Sequence, residues 1–253
     1  MRRPGAMPLT LVGGAILFAA CVEVPTGAND ILSFEFAPLP SPSVVVGDSL
    51  RDSLGVVRGI TLKAYNYSGS EVEDPEVTFT ALDRGVRVVS GTGVVIGDSV
   101  RSGARILAEV RELTGTVTIA VSLRPDTVIG SNDRDSLSYS VVDTASNVSP
   151  VLGVRVLSQA PGLTDSSVAS WLVSFRVESP TDTALARLVN ESGTRSSLDT
   201  TDARGVAGRR IKLDVTRLTS LTDSIIVQAF VKYRGVNVRG SPGRLVLKVK
   251  PKT

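Results

Sequence analysis

The residues of this 253-residue chain that could do chemistry are few, and absences narrow them first. The chain has no His, which excludes a Ser-His-Asp triad, a Cys–His pair and His-ligated zinc. Its one Cys, Cys21, excludes an internal disulfide and a thiolate metal cluster. Val45 to Arg51 (VVGDSLR) recurs as Val95 to Arg101 (VIGDSVR). The repeated Gly-Asp-Ser invites a nucleophile reading, but no His is there to act as base. The pair reads instead as two equivalent strand-ending turns, with Gly supplying positive φ and Asp and Ser bonding the local backbone. Glu71, Glu73, Asp74 and Glu76 put four carboxylates into six residues, which reads as a solvated loop, with a weak cation site as the alternative. Asn132, Asp133 and Asp135 are oxygen ligands of the kind Ca²⁺ takes. Arg134 stands among them and no Glu-rich loop accompanies them, so no metal is assigned and these three remain the weak candidates. Paired carboxylates of a glycosidase could converge from anywhere in the sequence. Such a cleft normally brings aromatic platforms, and six Phe, four Tyr and one Trp are few. No catalytic residue and no cofactor is therefore assigned.

Charge offers a different kind of site. Residues 21 to 150 hold 10 basic and 17 acidic side chains, and residues 151 to 253 hold 16 and 8. Lys248, Lys250 and Lys252 alternate with Leu247 and Val249, so they are expected to face water as a candidate binding surface. An anionic partner suits such a surface: another protein, an acidic polysaccharide or a lipid head group. Without residues 1 to 20 the chain carries 26 basic and 25 acidic side chains, which gives little support for nucleic acid as the partner.

The elements that would position these groups are strands. Val accounts for 38 residues, and branched side chains suit a pleated surface. Ile60, Leu62 and Ala64 alternate with Thr61 and Lys63, and Val117, Ile119 and Val121 alternate with Thr118, Ala120 and Ser122. This period of two recurs in short runs broken by Gly, Pro, Asp and Ser, which predicts antiparallel sandwiches. Strands are expected at 31–36, 43–46, 59–65, 77–82, 86–89, 94–96, 104–110 and 115–123. A second series is expected at 137–142, 152–157, 170–177, 184–189, 207–215, 225–233 and 244–249. Between the series, Arg124 to Asp135 (RPDTVIGSNDRD) is rich in Pro, Gly and charge and reads as a linker. The expected organisation is a signal peptide at 1–20, a tether at 21–30, domain 1 at 31–124, a linker at 125–135 and domain 2 at 136–253. Trp171 is expected as a buried anchor of the second core, beside Val173, Phe175 and Val177, with a surface Trp that stacks on sugar as the alternative, a role that normally comes with further aromatic residues.

The N-terminus reads as an address. Arg2 and Arg3 precede an apolar run from Leu9 to Ala20, too short to span a bilayer and suited to a secretion signal. Cys21 directly follows Phe18-Ala19-Ala20. This resembles the bacterial lipoprotein signal, which implies lipidation of Cys21 as the mature N-terminus. Val22, where an Asp would imply retention at the inner membrane, favours the outer membrane.

The body resembles bacterial Ig-like domains of the invasin and intimin type. The carrying residues in domain 1 are Val44 to Asp48, Gly55 to Tyr65, Val77 to Ala81, Gly103 to Ile106 and Thr114 to Val121. In domain 2 they are Thr201 to Ala207 (TDARGVA) and Ile225 to Ala229, and Tyr233 to Pro242 looks like the last hairpin of filamin-type Ig repeats. The resemblance implies an all-β fold of two tandem Ig-like antiparallel β-sandwich domains behind a cleaved lipoprotein signal. It also implies a non-catalytic cell-envelope protein used for adhesion, binding or scaffolding. A structural spacer of a larger surface complex, and a hydrolase built on carboxylates alone, are the alternatives. The anchor is directly testable. Cys21→Ser should move the protein from the membrane fraction to the soluble one, or leave it uncleaved, since each lipid CH₂ contributes about 0.8 kcal/mol of membrane affinity. Fractionation with mass spectrometry of the N-terminus reads the outcome.

Overall fold

The structure is a computed structural model that describes residues 30–159, 165–220 and 223–252. The secretion signal, Cys21 and all but the last residue of the tether lie outside the described residues. Domain 1 holds β1 (Ser33–Phe36), β2 (Ser43–Val45), β3 (Leu62–Tyr65), β4 (Glu71–Val72), β5 (Thr78–Ala81), β6 (Val86–Val89), β7 (Val94–Gly97), β8 (Arg101–Val110) and β9 (Leu113–Ser122). One sheet has the order β2-β9-β8-β5, a second has β1-β3-β4, and β6 and β7 form a hairpin. Alternation does the sorting. Ala104, Ile106, Ala108 and Val110 are buried in β8, and the first three meet Val44, Leu50, Ile60, Phe79 and Ile119 in the first core.

Domain 2 holds β10 (Thr127–Asn132), β11 (Arg134–Tyr139), β12 (Leu152–Ser158), β13 (Ser166–Ser167), β14 (Leu172–Ser179), β15 (Ala186–Val189), β16 (Leu198–Thr200), β17 (Val206–Leu213), β18 (Ser224–Phe230), β19 (Lys232–Tyr233), β20 (Val236–Asn237) and β21 (Gly243–Pro251). Its sheets run β10-β12-β17-β15, with β13 also on β12, and β11-β21-β18-β14-β16. A separate core from Val128 to Val249 lies between them. The order is that of an Ig-type sandwich, with the first strand divided between the two sheets. Both domains repeat that division. β1 pairs antiparallel with β3 while β2 lies parallel to β9, and β10 pairs antiparallel with β12 while β11 lies parallel to β21. The chain therefore folds as two tandem Ig-like β-sandwiches.

The segment expected as a linker at 125–135 is instead the start of domain 2. Thr127, Val128 and Ile129 are branched residues that open β10, and Val128 joins the core. The Gly and Asp that suggested a linker serve the change of sheet. The Asp133 side chain occupies the space beside Gly130, where a Cβ would lie 2.6 Å from it. Only residues 123–126 connect the sandwiches. The strand expected at 137–142 also stops early, at Tyr139, leaving Val141 and Val142 exposed. With the boundary redrawn at Thr127, domain 1 from residue 30 carries 9 basic and 13 acidic side chains and domain 2 carries 17 and 11. The charge contrast keeps its sign and shrinks.

One turn recurs four times, at Asp52–Val56, Asn66–Ser70, Asn190–Thr194 and Asp202–Val206. In each, the first and fifth residues exchange a backbone bond, and the first side chain accepts the fifth residue's N–H at 2.8–3.0 Å. The fourth residue is Gly with φ between +75° and +83°, a conformation that costs L side chains dearly. The TDARGVA run is this turn with its following strand. Asx side chains capping a turn that needs Gly explain why these residue types sit at this spacing.

Asn147 is fully buried in the loop after β11. Its Oδ1 accepts the Ser140 N–H at 2.7 Å and its Nδ2 donates to the Ser140 carbonyl at 2.8 Å. Asn147→Ala leaves both backbone groups without these partners, so urea unfolding should show a loss of about 1–3 kcal/mol.

Candidate functional site

The two sandwiches meet through two tight turns. From domain 1 comes the Asp52–Val56 turn; from domain 2 comes the β19–β20 hairpin, whose central residues Arg234 and Gly235 both have positive φ. That combination is the tight hairpin turn whose twist matches its strands. The backbones touch. A Cβ on Gly55 would lie 2.2 Å from the Arg234 carbonyl carbon, and one on Gly235 would lie 2.4 Å from the Leu54 oxygen. Only glycine permits this approach on either side.

Asp48 lies beside the turns, at 6% exposure, and is the hub of the junction. Its carboxylate accepts the Tyr233 hydroxyl at 2.8 Å and Arg234 Nε at 2.9 Å from domain 2. From domain 1 it accepts Arg51 Nη2 at 3.0 Å, Arg51 Nε at 3.1 Å and the Ser49 N–H at 2.9 Å. Arg51 extends the network by donating to the Gly55 carbonyl at 2.9 Å, which joins hub and turn. Burial alone would raise the Asp48 pKa. Donation from Arg234, Arg51, Tyr233 and Ser49 outweighs burial and holds it far below the ordinary carboxylate range. Burial, with the bond to Asp48, pushes the Tyr233 hydroxyl pKa up.

The repeated Gly-Asp-Ser segments are neighbours rather than equivalents. The Gly47 N–H donates to the Gly97 carbonyl and the Gly97 N–H to the Asp48 carbonyl. Gly47 has φ +76°, but Gly97 serves close approach: a Cβ there would lie 2.8 Å from the Val45 oxygen. Asp98 faces outward and pairs with Arg87, while Asp48 faces the other domain. The Asp48 side chain was therefore singled out in the sequence by its motif, but its partners, nearly two hundred residues away, carried no local signal.

Above the hub a cavity of about 210 Å³ opens between the domains, lined by Trp171, Leu172, Leu198, Phe230, Tyr233 and Leu54 among others. Trp171 is only partly buried, a correction to its expected role as a fully buried anchor. It packs on the second core with one edge and stands 6.3 Å from the Tyr233 ring with the other. Its place at the junction end of β14 keeps it out of the interior.

The outer face of the β11-β21-β18-β14 sheet is basic. Lys248 and Lys250 are exposed on β21 while Leu247 and Val249 are buried; Lys252 follows, also exposed. Strand register adds Arg134, Arg176 and Arg244 to the same face; the alternation of Arg176 and Arg244 was visible in the sequence, whereas Arg134 lay in the stretch read as a linker. No ion pair reaches any of these six among the described residues, whereas Arg51, Arg87, Arg105 and Arg187 each hold an aspartate. Arg176 donates to Gln228 at 2.8 Å and stacks 5.2 Å from the Phe230 ring. Glu178, near the end of β14, falls in the irregularity between Val177 and Ser179 and has no partner across the strand pair.

Asn132 ends β10, six residues and about 20 Å from the connector, with Asp133 and Asp135 just beyond it, so the three are not at the domain junction. Asn132 turns its NH₂ inward, donating to Asp135 Oδ2 at 2.9 Å and the Val151 carbonyl at 2.7 Å. Among the described residues no group of three or more acidic, Cys or His side chains is placed to hold a metal ion. Glu71 of the acidic loop pairs with Lys63. No helix among the described residues is long and apolar enough to cross a membrane.

No family model matches the chain, and no characterised protein matches it in sequence. Similar solved structures include domains 4 and 5 of the S-layer protein SbsC, at 14% identity and a TM-score of 0.31, covering 87% of this chain and 99% of that one. Human protocadherin-24 EC1-2 is similar at 12% identity and a TM-score of 0.28, covering 88% and 100%. A glycosyl hydrolase family 2 member from Bacteroides cellulosilyticus is similar at 14% identity and 0.29, covering 81% and 23%. The Ig-like assignment rests on this chain's own strand pairing.

Gly55→Ala tests the junction. Each sandwich should stay folded, but calorimetry should show two separate melting transitions, against a single one expected for the unaltered chain. Asp48→Ala should cost about 1–3 kcal/mol by stranding its donors. Because the folded pKa of Asp48 is depressed, its contribution is complete at neutral pH and drains away as pH falls below about 4. The two transitions should therefore also part in acid.

Proposed function

We propose that this is a non-catalytic, lipid-anchored bacterial envelope protein in which domain 1 serves as a rigid stalk and domain 2 binds an anionic partner. The observation that carries the reading is the basic outer face of domain 2, six cations free of ion pairs among the described residues. Geometry supports the polarity. Asp30, the first described residue, pairs with Arg111 at the β8–β9 hairpin tip, and β9 runs ten residues from that tip to the connector. Asp30, where the described chain begins, and the connector to domain 2 are thus at opposite poles of domain 1, about 30 Å apart. An outer-membrane anchor at Cys21 would hold the basic face away from the lipid. The locked junction equally suits a spacer, whose duty is to keep distance.

The test is retention of the full chain on an immobilised polyanion from low to high salt. Charge attraction screened over a Debye length of about 8 Å should give retention that collapses with salt. Lys248→Glu, Lys250→Glu and Lys252→Glu combined should abolish it without shifting the melting temperature. Equal elution of the unaltered and triple-substituted chains would leave the spacer reading.

A further inference from the structure

The basic face and the junction cavity are one continuous surface. Ser174 and Phe230 line the cavity and are register partners. The next pair on that face is Arg176 with Gln228, which in turn lies opposite Arg244, and from Arg244 the track continues to Lys248 and Lys250. On β21 the cations Lys248 and Lys250 recur every second residue, about 7 Å apart, and Arg244 to Lys250 spans about 20 Å. The track ends in a concave, ring-lined pocket flanked by apolar side chains that water would otherwise meet, Leu54 at 75% and Leu198 at 49% exposure.

We propose that this surface binds an extended anionic polysaccharide, with its acidic groups along the β21 track and one sugar ring in the pocket between Phe230 and the Trp171–Tyr233 pair. The inference rests on the reading of domain 2 as an anion-binding domain and adds the ligand class and the pocket. Three features select a sugar polymer. A polyuronate carries a ring and a charge on every unit, so a single chain satisfies track and pocket together. The cavity volume, about 210 Å³, falls below the roughly 300–1,000 Å³ of sites for drug-sized ligands and suits one ring. Ser174 and Lys232 line it with side chains that make no hydrogen bond among the described residues, leaving a hydroxyl and an ammonium for sugar oxygens. A flat lipid surface could meet the track but could not enter the pocket.

The experiment uses the full chain and its single Trp, which sits in the proposed pocket. Oligogalacturonate, polyglutamate of matched charge and phosphatidylglycerol vesicles are titrated separately, following affinity and Trp171 emission. Oligogalacturonate should shift the emission and bind at least about fivefold tighter than polyglutamate. Phe230→Ala and, independently, the exposed rim variant Leu54→Ser should erase that margin while leaving polyglutamate affinity unchanged. Lys248→Glu with Lys250→Glu should weaken binding to both polymers about tenfold. Equal affinities with unchanged emission would overturn the sugar pocket and leave an unselective anion-binding face. Binding to vesicles without oligogalacturonate would also overturn it. Failure of every polyanion at low salt would overturn the anion-binding face itself.

Discussion

Asp48 is the constraint on which the arrangement of the molecule depends. One carboxylate, almost wholly removed from water, takes hydrogen bonds from both sandwiches at once. A buried carboxylate is tolerable only when donors surround it, and here two guanidinium groups, a phenol and an amide do so. Half of those donors belong to the other domain. The hub therefore fixes relative orientation as well as contact. Gly55 and Gly235 reinforce it sterically, because their backbones meet at a separation that no larger residue allows. Ordinary two-domain chains with a connector of four residues could still bend; this one has a charged latch beside a steric one.

The functional consequences follow from that rigidity. The junction cavity exists only while the domains keep their relation, since domain 1 supplies Leu54 and domain 2 supplies Phe230 and Trp171. The same relation brings the cavity into line with the basic sheet face. A flexible connector would leave the charged track intact and lose the pocket. Track and pocket can thus fail separately, which makes the role of the junction visible in binding selectivity as well as in shape.

Much of the fold was legible because strand alternation is local. Ile106, Ala108 and Val110 announced the inner face of β8, and Lys248 and Lys250 announced the outer face of β21, within single strands. The junction was not legible, for the opposite reason. Asp48 and Arg234 lie far apart in sequence, and nothing near Asp48 marks it for a partner in another domain, so its motif read as a turn. The stretch from Thr127 to Asp135 misled in a further way: a strand that changes sheets needs Gly and polar residues at the bend, and these look like a linker. Arg176 and Arg244 were visible as outward residues, while Arg134 was hidden in the stretch read as a linker. Only the register that sets four strands side by side turns them into one surface.

The direct measurement of the central claim is domain orientation in solution. Residual dipolar couplings from the backbone amides of both sandwiches, collected at neutral pH, give an alignment tensor for each domain. A locked junction predicts that the two tensors agree in magnitude and direction, and that they diverge in Asp48→Ala. Different tensors in the unaltered chain would show that the sandwiches move independently, and the latch at Asp48 would then not hold the molecule in one shape.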